Sequence, residues 1–403
     1  MQNKLYIVLV GLPARGKSTI ATKIRNFLRK DSVKAKIFNN GDLRRKLIPN
    51  NTSFAEFYDP DNENGAVIRE KISIMNVNKA NNYLKRGGMV AILDATNASL
   101  TRRKLIQSHL DDHIVLHIEC INNNADILDA SIRRKIDTPE FSHLKQERAV
   151  KSFKKRISYY ENIYTPLKKE KNFIKLDSLN KKVIQEEIKE TIPYYDQIRD
   201  FLVSDSVKHL YLIRHGETYF NLENRIGGDS SLTVNGVRQA EALGEYFSKK
   251  EIPVIFTSEM ARTIETARPI GAKQRKCSII PLAEFNEIDS GVCECMSYEE
   301  IRNNMTEVYR ARKKDKYNYV YPEGEGYVTM KERINMGINK ALYLSDTSKN
   351  IIIVGHRAAN RMILSHFLFR REEDVPYIYI PQDKFYYISV TQDKKLFELK
   401  RYQ

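Results

Sequence analysis

Residues 11–18 have the types and spacing to hold a polyphosphate. Gly11-Leu12-Pro13-Ala14-Arg15-Gly16-Lys17-Ser18 fits G-x-x-x-x-G-K-[ST]. In that pattern the glycines let backbone N–H groups turn onto phosphate oxygens, the lysine reaches the terminal phosphates and the hydroxyl ligates Mg2+. The segment follows an apolar run, 5–10, and Thr19 continues it into a stretch where Ile20, Ile24, Phe27 and Leu28 share one helical face. Arg29 and Lys30 then suit a helix C-terminus. A second apolar run, 89–93, ends at Asp94, with Thr96, Asn97, Arg102 and Arg103 beyond it. A carboxylate at the C-terminal end of a strand sits in the crevice where α/β sheets bind ligands. It could hold Mg2+, accept the proton of an attacking hydroxyl, or only cap the next helix. Beside a phosphate loop the catalytic roles are favoured.

The second half carries a different chemistry. Arg214-His215-Gly216-Glu217 follows the run 210–213, Thr257-Ser258 and Arg262 follow 254–256, Glu287 lies in Asn286-Glu287-Ile288-Asp289, and Gly355-His356 follows 351–354. A neutral imidazole at His215 could attack phosphorus and carry the phosphoryl group. Arg214, Arg262 and His356 could supply fixed cations to its equatorial oxygens. A protonated Glu287 could give the leaving alkoxide its proton, with no metal required.

These groups need strand ends to position them. Apolar runs alternate with helical patterns through both halves, at 5–10, 36–39, 89–93, 114–118 and 173–176, then 210–213, 254–256 and 351–354. That alternation predicts two doubly wound α/β domains with mainly parallel sheets. Residues 178–200 read as a polar helix followed by a turn at Ile192-Pro193, and a fresh strand begins near His209. The junction is set near residue 207, giving domains 1–206 and 207–403 of the 403 residues.

Composition sets the limits. Hydrophobic residues are 41% and charged residues 29%, ordinary for a globular protein, and no apolar run approaches a membrane span. The N-terminal run is too short for a secretory leader, and Cys120, Cys277, Cys293 and Cys295 lack metal-ligand spacing. Free thiols in a cytoplasmic protein are the expectation. The net charge of +16 suits small phosphorylated substrates; it is spread along the chain without a polybasic tail.

The ordered motifs GLPARGKS, FNNGDLRRKL, LDATN, KRISYYENIY, LIRHGET, NRIGGDSSL, TSEMARTIETA and VGHRAANR resemble the 6-phosphofructo-2-kinase/fructose-2,6-bisphosphatase family over nearly the whole chain. The resemblance implies an N-terminal P-loop kinase domain, a C-terminal histidine phosphatase domain of phosphoglycerate mutase-like fold, and synthesis and hydrolysis of fructose 2,6-bisphosphate. It places ATP with Mg2+ on Gly11 to Thr19, Ser131 and Lys135, with Ser18 and Asp94 toward the metal and Lys17 and Asp94 in catalysis. Arg44, Arg69, Thr96, Arg102, Lys135, Arg156 and Tyr160 fall where the family binds fructose 6-phosphate. In the second half it makes His215 the phosphorylated residue and Glu287 the acid, with Arg214, Arg262 and His356 around the phosphoryl group. Asn221, Gly227, Tyr298, Arg312, Lys316, Tyr327, Arg357 and Arg361 match the remaining bisphosphate contacts, the phosphatase needing no cofactor. A homodimer joined through kinase domains is implied, with sugar phosphates rather than nucleic acid or membrane as partners.

Three departures stand out. Arg357 occupies a position where the family usually has Gln, and Gly326 one where it usually has Ser. The family's kinase-side cysteine has no aligned equivalent, Cys120 being displaced in Glu119-Cys120-Ile121-Asn122. Phosphorylation control through terminal tails is not expected from this sequence. Two other functions fit parts of the pattern: a kinase–phosphatase acting on nucleic acid ends, and a nucleotide-gated binding module with a vestigial phosphatase. Retention of Lys17, Asp94, His215 and Glu287 speaks against the latter.

Overall fold

The computed structural model describes residues 4–48, 53–110, 112–345, 348–368, 371–391 and 394–402, so residues 1–3 of the N-terminus lie outside the described residues. The chain divides into two compact units, Met1–Ser204 and Asp205–Gln403. Among the described residues no helix is long and apolar enough to cross a membrane.

The first unit is built on six strands: β1 (Leu5–Val10), β2 (Ala35–Asn39), β3 (Val90–Asp94), β4 (Ile114–Ile121), β5 (Phe173–Asp177) and β6 (Lys182–Glu187). Their order is β2-β3-β1-β4-β5-β6, parallel except for the β5–β6 pair. Every residue of β1 is buried because both faces of the sheet are covered, which is why it reads as an unbroken apolar run. Leu5, Ile7 and Leu9 meet Ala21, Ile24 and Leu28 of the helix Lys17–Lys30. Tyr6, Val8 and Val10 face the other way, toward Val77, Ala80 and Leu84 of the helix Glu63–Lys85. Since β1 lies between β3 and β4, the loop after β1 and the residue ending β3 open on the same edge of the sheet.

The polar helix expected within 178–200 is corrected here. Residues 182–187 are strand β6, and the helix is Tyr195–Val203. β6 is an edge strand with most side chains exposed, so no apolar alternation marks it, and its antiparallel pairing with β5 decides its conformation.

The second unit has β7 (Val207–Arg214), β8 (Val254–Thr257), β9 (Ser278–Pro281), β10 (Asn350–Gly355), β11 (Lys384–Val390) and β12 (Lys395–Arg401). The order is β12-β11-β7-β10-β8-β9, with β7 to β9 along the parallel part and β11 and β12 antiparallel. Helices Val234–Phe247 and Ala261–Ala272 cover one face through Leu243, Phe247, Ala267 and Ile270. Helices Tyr327–Leu344 and Arg357–Leu368 cover the other through Met330, Ile334, Ile338 and Ile363. Arg214, Thr257 and Gly355 end β7, β8 and β10, so the functional candidates that follow them leave from one edge.

Candidate active sites

In the first unit the loop after β1 has the shape of a phosphate cradle. Gly11 has φ +136° and a Cβ there would lie 2.5 Å from the carbonyl oxygen of Cys120, so only glycine fits. Gly16 takes the left-handed conformation, φ +81°, immediately before the helix Lys17–Lys30 begins. The Gly11 N–H donates to the Thr96 carbonyl at 3.1 Å, which ties the loop to the segment following Asp94. Lys17 is folded over the loop, its Nζ donating to the Leu12 carbonyl at 2.6 Å. Burial lowers its pKa to about 8, with Cys120 and Asp94 pulling the other way. Leu12, Pro13, Ala14 and Arg15 span the loop between the two glycines, and the Arg15 carbonyl accepts the Ser178 hydroxyl at 3.0 Å. The Ser18 hydroxyl and the Asp94 carboxylate are hard oxygen donors of the kind Mg2+ takes, so the residues present fit a Mg2+–polyphosphate.

Asp94 ends β3 and is buried. It does not cap the next helix, Leu100–Gln107, where Ser99 is the cap. Its Oδ2 accepts from the side-chain amide of Asn39 instead.

Beside it four arginines converge on two tyrosines. Arg156 stacks its guanidinium 3.8 Å from the Tyr58 ring centre, with those of Arg44 and Arg69 at 5.7 and 5.9 Å. Arg44 donates to the Tyr58 hydroxyl and to Glu140. Arg102 donates to the Arg69 carbonyl at 3.1 Å. Tyr160 lies 6.0 Å from Tyr58, ring to ring, and its oxygen acts electrostatically on all four arginines. Burial lowers the pKa of all four, Arg44 to about 10, with Arg156 its next largest cause. Desolvated cations crowded together form a receptor for an anion. Thr96 is half-buried in the loop after Asp94, Lys135 is exposed but its charge reaches Lys17, and Ser131 is buried on the helix Ala125–Ile136. No described hydrogen bond joins Ser131 to the phosphate loop. Tyr58, Glu140 and Asn39 escaped the sequence reading; only Asn39, inside FNNGDLRRKL, sat in a quoted motif.

In the second unit His215 follows β7 and its N–H donates to the Gly355 carbonyl at 3.0 Å. The ring Nδ1 lies 2.7 Å from the Gly216 carbonyl oxygen, which can only accept, so Nδ1 carries the proton and Nε2 keeps its lone pair. Burial, then Arg214 and Arg262, holds the ring's pKa well below the usual value. His356 stands 5.3 Å away, ring to ring. Arg262 Nε donates to its Nδ1 at 3.2 Å, leaving Nε2–H to donate to Ser258 Oγ at 2.8 Å. The expectation of a third cation is therefore not met in the free protein: burial and Arg262 keep His356 neutral, and its two bonds aim Arg262. Arg262 also donates to the Gly228 carbonyl at 2.5 Å. Arg214 is buried, and desolvation with the nearby Arg357 lowers its pKa to about 9.

Glu287 is held by the start of the helix Arg357–Leu368. Its Oε1 accepts the N–H groups of Ala358 (3.0 Å), Ala359 (3.1 Å) and Ile288 (3.1 Å), while Oε2 receives only a longer second contact from Ala358, 3.2 Å. Further out, Arg361 donates to the Tyr327 hydroxyl (3.0 Å) and to the Ile378 carbonyl (2.8 Å). Lys316 lies 4.6 Å over the Tyr377 ring, and burial, Arg312 and Arg361 lower its pKa. Arg312 faces Tyr298 and Tyr321. Three cations placed together in this way could receive a second anion. Asn221 accepts at its Oδ1 from Gln382, which also donates to the His215 carbonyl. Gly227 is left-handed, φ +67°, and packs on Glu294. Gly326 has no room for the family's Ser: a Cβ would lie 2.1 Å from the Tyr319 carbonyl oxygen. Ser258 was noted in the sequence only for its place after a strand, with no role assigned, and Gln382 was not noted at all.

Residues 1–215 match the family 6-phosphofructo-2-kinase, and residues 210–403 match the histidine phosphatase superfamily, branch 1. The chain is 34% identical over 389 residues to mouse 6-phosphofructo-2-kinase/fructose-2,6-bisphosphatase 1, which covers 93% of this chain and 79% of that protein. The human protein numbered 3 is 33% identical over 390 residues, 93% of this chain and 72% of its own length. The chain belongs to the 6-phosphofructo-2-kinase/fructose-2,6-bisphosphatase family. Among solved structures it is similar to a putative alpha-ribazole-5'-P phosphatase from Escherichia coli, with TM-score 0.44 and 24% identity over 48% of this chain and 96% of that one. A score of that size bears on nothing further.

Proposed function

We propose that this member of the family makes fructose 2,6-bisphosphate from ATP and fructose 6-phosphate in its first unit and hydrolyses it at C2 in its second. The observation that carries the proposal is that one chain holds two separate phosphate-handling sites, Lys17 with Asp94 and His215 with Glu287, each flanked by a cluster of buried and half-buried arginines. Cations desolvated in pockets suit a small anion better than the exposed track a polynucleotide needs.

In the kinase, assigned to residues 1–206, Arg44, Arg69, Arg102 and Arg156 grip the 6-phosphate while Tyr160 and Thr96 bond the sugar. Asp94 accepts the proton of the 2-hydroxyl as that oxygen attacks the γ-phosphorus, and Lys17 balances charge on the transferring group. Mg2+, when bound, draws charge from the β- and γ-phosphate oxygens, and Ser18 and Asp94 would hold it. Ser131 and Lys135 take the nucleotide's remaining contacts.

In the phosphatase, assigned to residues 207–403, His215 Nε2 attacks the 2-phosphorus and the bond to the C2 oxygen breaks. Glu287 gives that oxygen its proton, and Arg214 and Arg262 bind the equatorial oxygens. Water then attacks the phosphohistidine, Glu287 takes its proton, and phosphate leaves as the P–N bond breaks. No cofactor enters these steps. Arg312, Lys316 and Arg361 hold the 6-phosphate, with Asn221, Gly227, Tyr298 and Tyr327 lining the rest. The protein works in the cytoplasm as a homodimer, with sugar phosphates rather than nucleic acid or membrane as partners. Incubation with MgATP and fructose 6-phosphate, then with fructose 2,6-bisphosphate alone, tests both halves; failure to form the bisphosphate or to release its 2-phosphate rejects the corresponding activity.

A further inference from the structure

The side chain of Asn39 joins two parts of the kinase site that the sequence keeps far apart. Asn39 ends β2 directly beside Asp94, its register partner at the end of β3. Its Oδ1 accepts the Asp42 N–H at 2.9 Å, capping the helix Asn40–Leu47 that carries Arg44. Its Nδ2 donates to Asp94 Oδ2 at 2.5 Å. The amide has one orientation: turned over, it would set NH2 against N–H at one end and oxygen against carboxylate at the other. A single planar group therefore fixes both the rotation of the Asp94 carboxylate and the start of the Arg44 helix.

We propose that Asn39 is a positioning residue of the kinase, one whose amide holds Asp94 Oδ2 so that Oδ1 faces the sugar hydroxyl, and whose carbonyl sets the depth of Arg44. The inference rests on the kinase reading above. Asp94 is buried, and without the amide its carboxylate can rotate or turn toward Lys17, whose charge it already feels. Proton acceptance from an attacking hydroxyl depends on that angle, since a misplacement of about 1 Å costs roughly 100-fold. On the other side of the amide, Arg44 is buried against Tyr58 and Glu140, and the helix start decides how far it reaches.

The two ends of the amide separate by substitution. Asn39→Ser keeps a good helix cap and removes the amide donor, whereas Asn39→Ala removes both. Asn39→Ser is expected to lower kcat for phosphoryl transfer by about 10- to 100-fold, with KM for MgATP and fructose 6-phosphate within about twofold of the parent. Asn39→Ala is expected to raise KM for the sugar phosphate as well. A parent-like kcat in Asn39→Ser overturns the proposal. A thermal-unfolding cycle of Asn39→Ser, Asp94→Asn and the double variant reads the contact without substrate. Losses in Tm that fail to add support the coupling, and strictly additive losses overturn it. A parent enzyme inactive toward fructose 6-phosphate would sink the kinase reading, and the cycle would still decide whether Asn39 holds Asp94.

Discussion

Glu287 and Ala358 stand 71 positions apart in sequence, yet the Ala358 N–H points at Glu287 Oε1 from 3.0 Å. With Ala359 and Ile288 also on Oε1, that oxygen is committed, and Oε2 is the one with room for a proton. Glu287→Gln can leave its Oε1 in place and keep the three bonds while losing the acid. It is expected to slow formation of phosphoenzyme by about 10²–10⁴-fold with little change in Tm. Glu287→Ala strips the helix start as well and is expected to cost about 1–2 kcal/mol of stability in addition. Substrate labelled at the 2-phosphate should mark His215 with an acid-labile, base-stable label, lost in His215→Ala; label on His356 instead would refute the assignment of nucleophile.

Lys17 makes the kinase sensitive to alkali. Burial brings its pKa to about 8 in the free protein, so the positive charge is present below that value and lost as pH rises through it. KM for MgATP is expected to climb between about pH 7 and pH 9, and Lys17→Arg, which stays charged, should flatten the climb even if it transfers phosphate poorly. Binding measured directly with a non-hydrolysable ATP analogue checks this, and an affinity independent of pH would remove the basis for it. Lys17→Ala should abolish transfer from ATP and leave the bisphosphatase intact, because His215 and Glu287 belong to the other compact unit. Equal loss of both activities in a folded variant would contradict two independent sites.

The parts of this architecture legible in the sequence are those where one physical demand dominates. β1, β3, β7 and β10 have interiors buried on both faces that read as apolar runs, so their ends, and the chemistry hung on them at Gly11, Asp94, His215 and His356, could be read directly. β6 and β12 are edge strands and carry Lys and Glu, so neither periodicity nor composition separated them from helix or loop. The same limit hid the roles of residues that orient others. Asn39, Glu140, Ser258 and Gln382 matter through partners that only folding brings near: Asn39 reaches Asp94 across 55 positions and Ser258 reaches His356 across 98. Neutral His356 illustrates the point from the other side, since residue type suggested a cation and burial decided against it.

His117 adds a pH limit to the first unit's stability. It lies buried on β4, and burial holds its pKa at about 4, with Glu170 and the Asn172 backbone opposing and Arg103 adding to that effect. A histidine whose folded pKa is depressed binds its proton more readily unfolded. The stability from keeping it neutral is complete above the unfolded value near 6.5 and drains away as pH falls toward 4. The expected loss is about 2 kcal/mol between about pH 7 and pH 5. His117→Leu should lose about that much less than the parent over the same interval, and comparing the two cancels the acid sensitivity of His215 and His356. Urea unfolding at the two pH values is the measurement; equal losses in both proteins would mean that His117 takes up its proton without opening the core.

Arg357 is expected to bear on the balance between the two activities. It opens the helix that holds Glu287 and is exposed, and no hydrogen bond or ion pair joins it to a carboxylate among the described residues. Its charge instead acts on Arg214, where it is the second largest cause of the lowered pKa, and on His215. A fixed cation whose charge reaches Arg214 and His215 adds to the field that receives a phosphoryl group, and it does so for substrate and product alike. Binding both more tightly lowers KM without helping the chemical step, and it slows release. The Gln usual in the family is neutral and can only hydrogen-bond, so this bisphosphatase is expected to be tight and slow, tilting the protein toward net synthesis. Arg357→Gln should raise KM for fructose 2,6-bisphosphate by about tenfold, the worth of one charged hydrogen bond. It should weaken inhibition by phosphate and fructose 6-phosphate to a similar degree. If release limits turnover, kcat rises as well; if hydrolysis of the phosphohistidine limits it, kcat stays level while KM still moves. Steady-state kinetics with product inhibition reads all three constants. An unchanged KM together with unchanged product inhibition would show that the guanidinium never meets the ligand, and the tilt toward synthesis would then need another source.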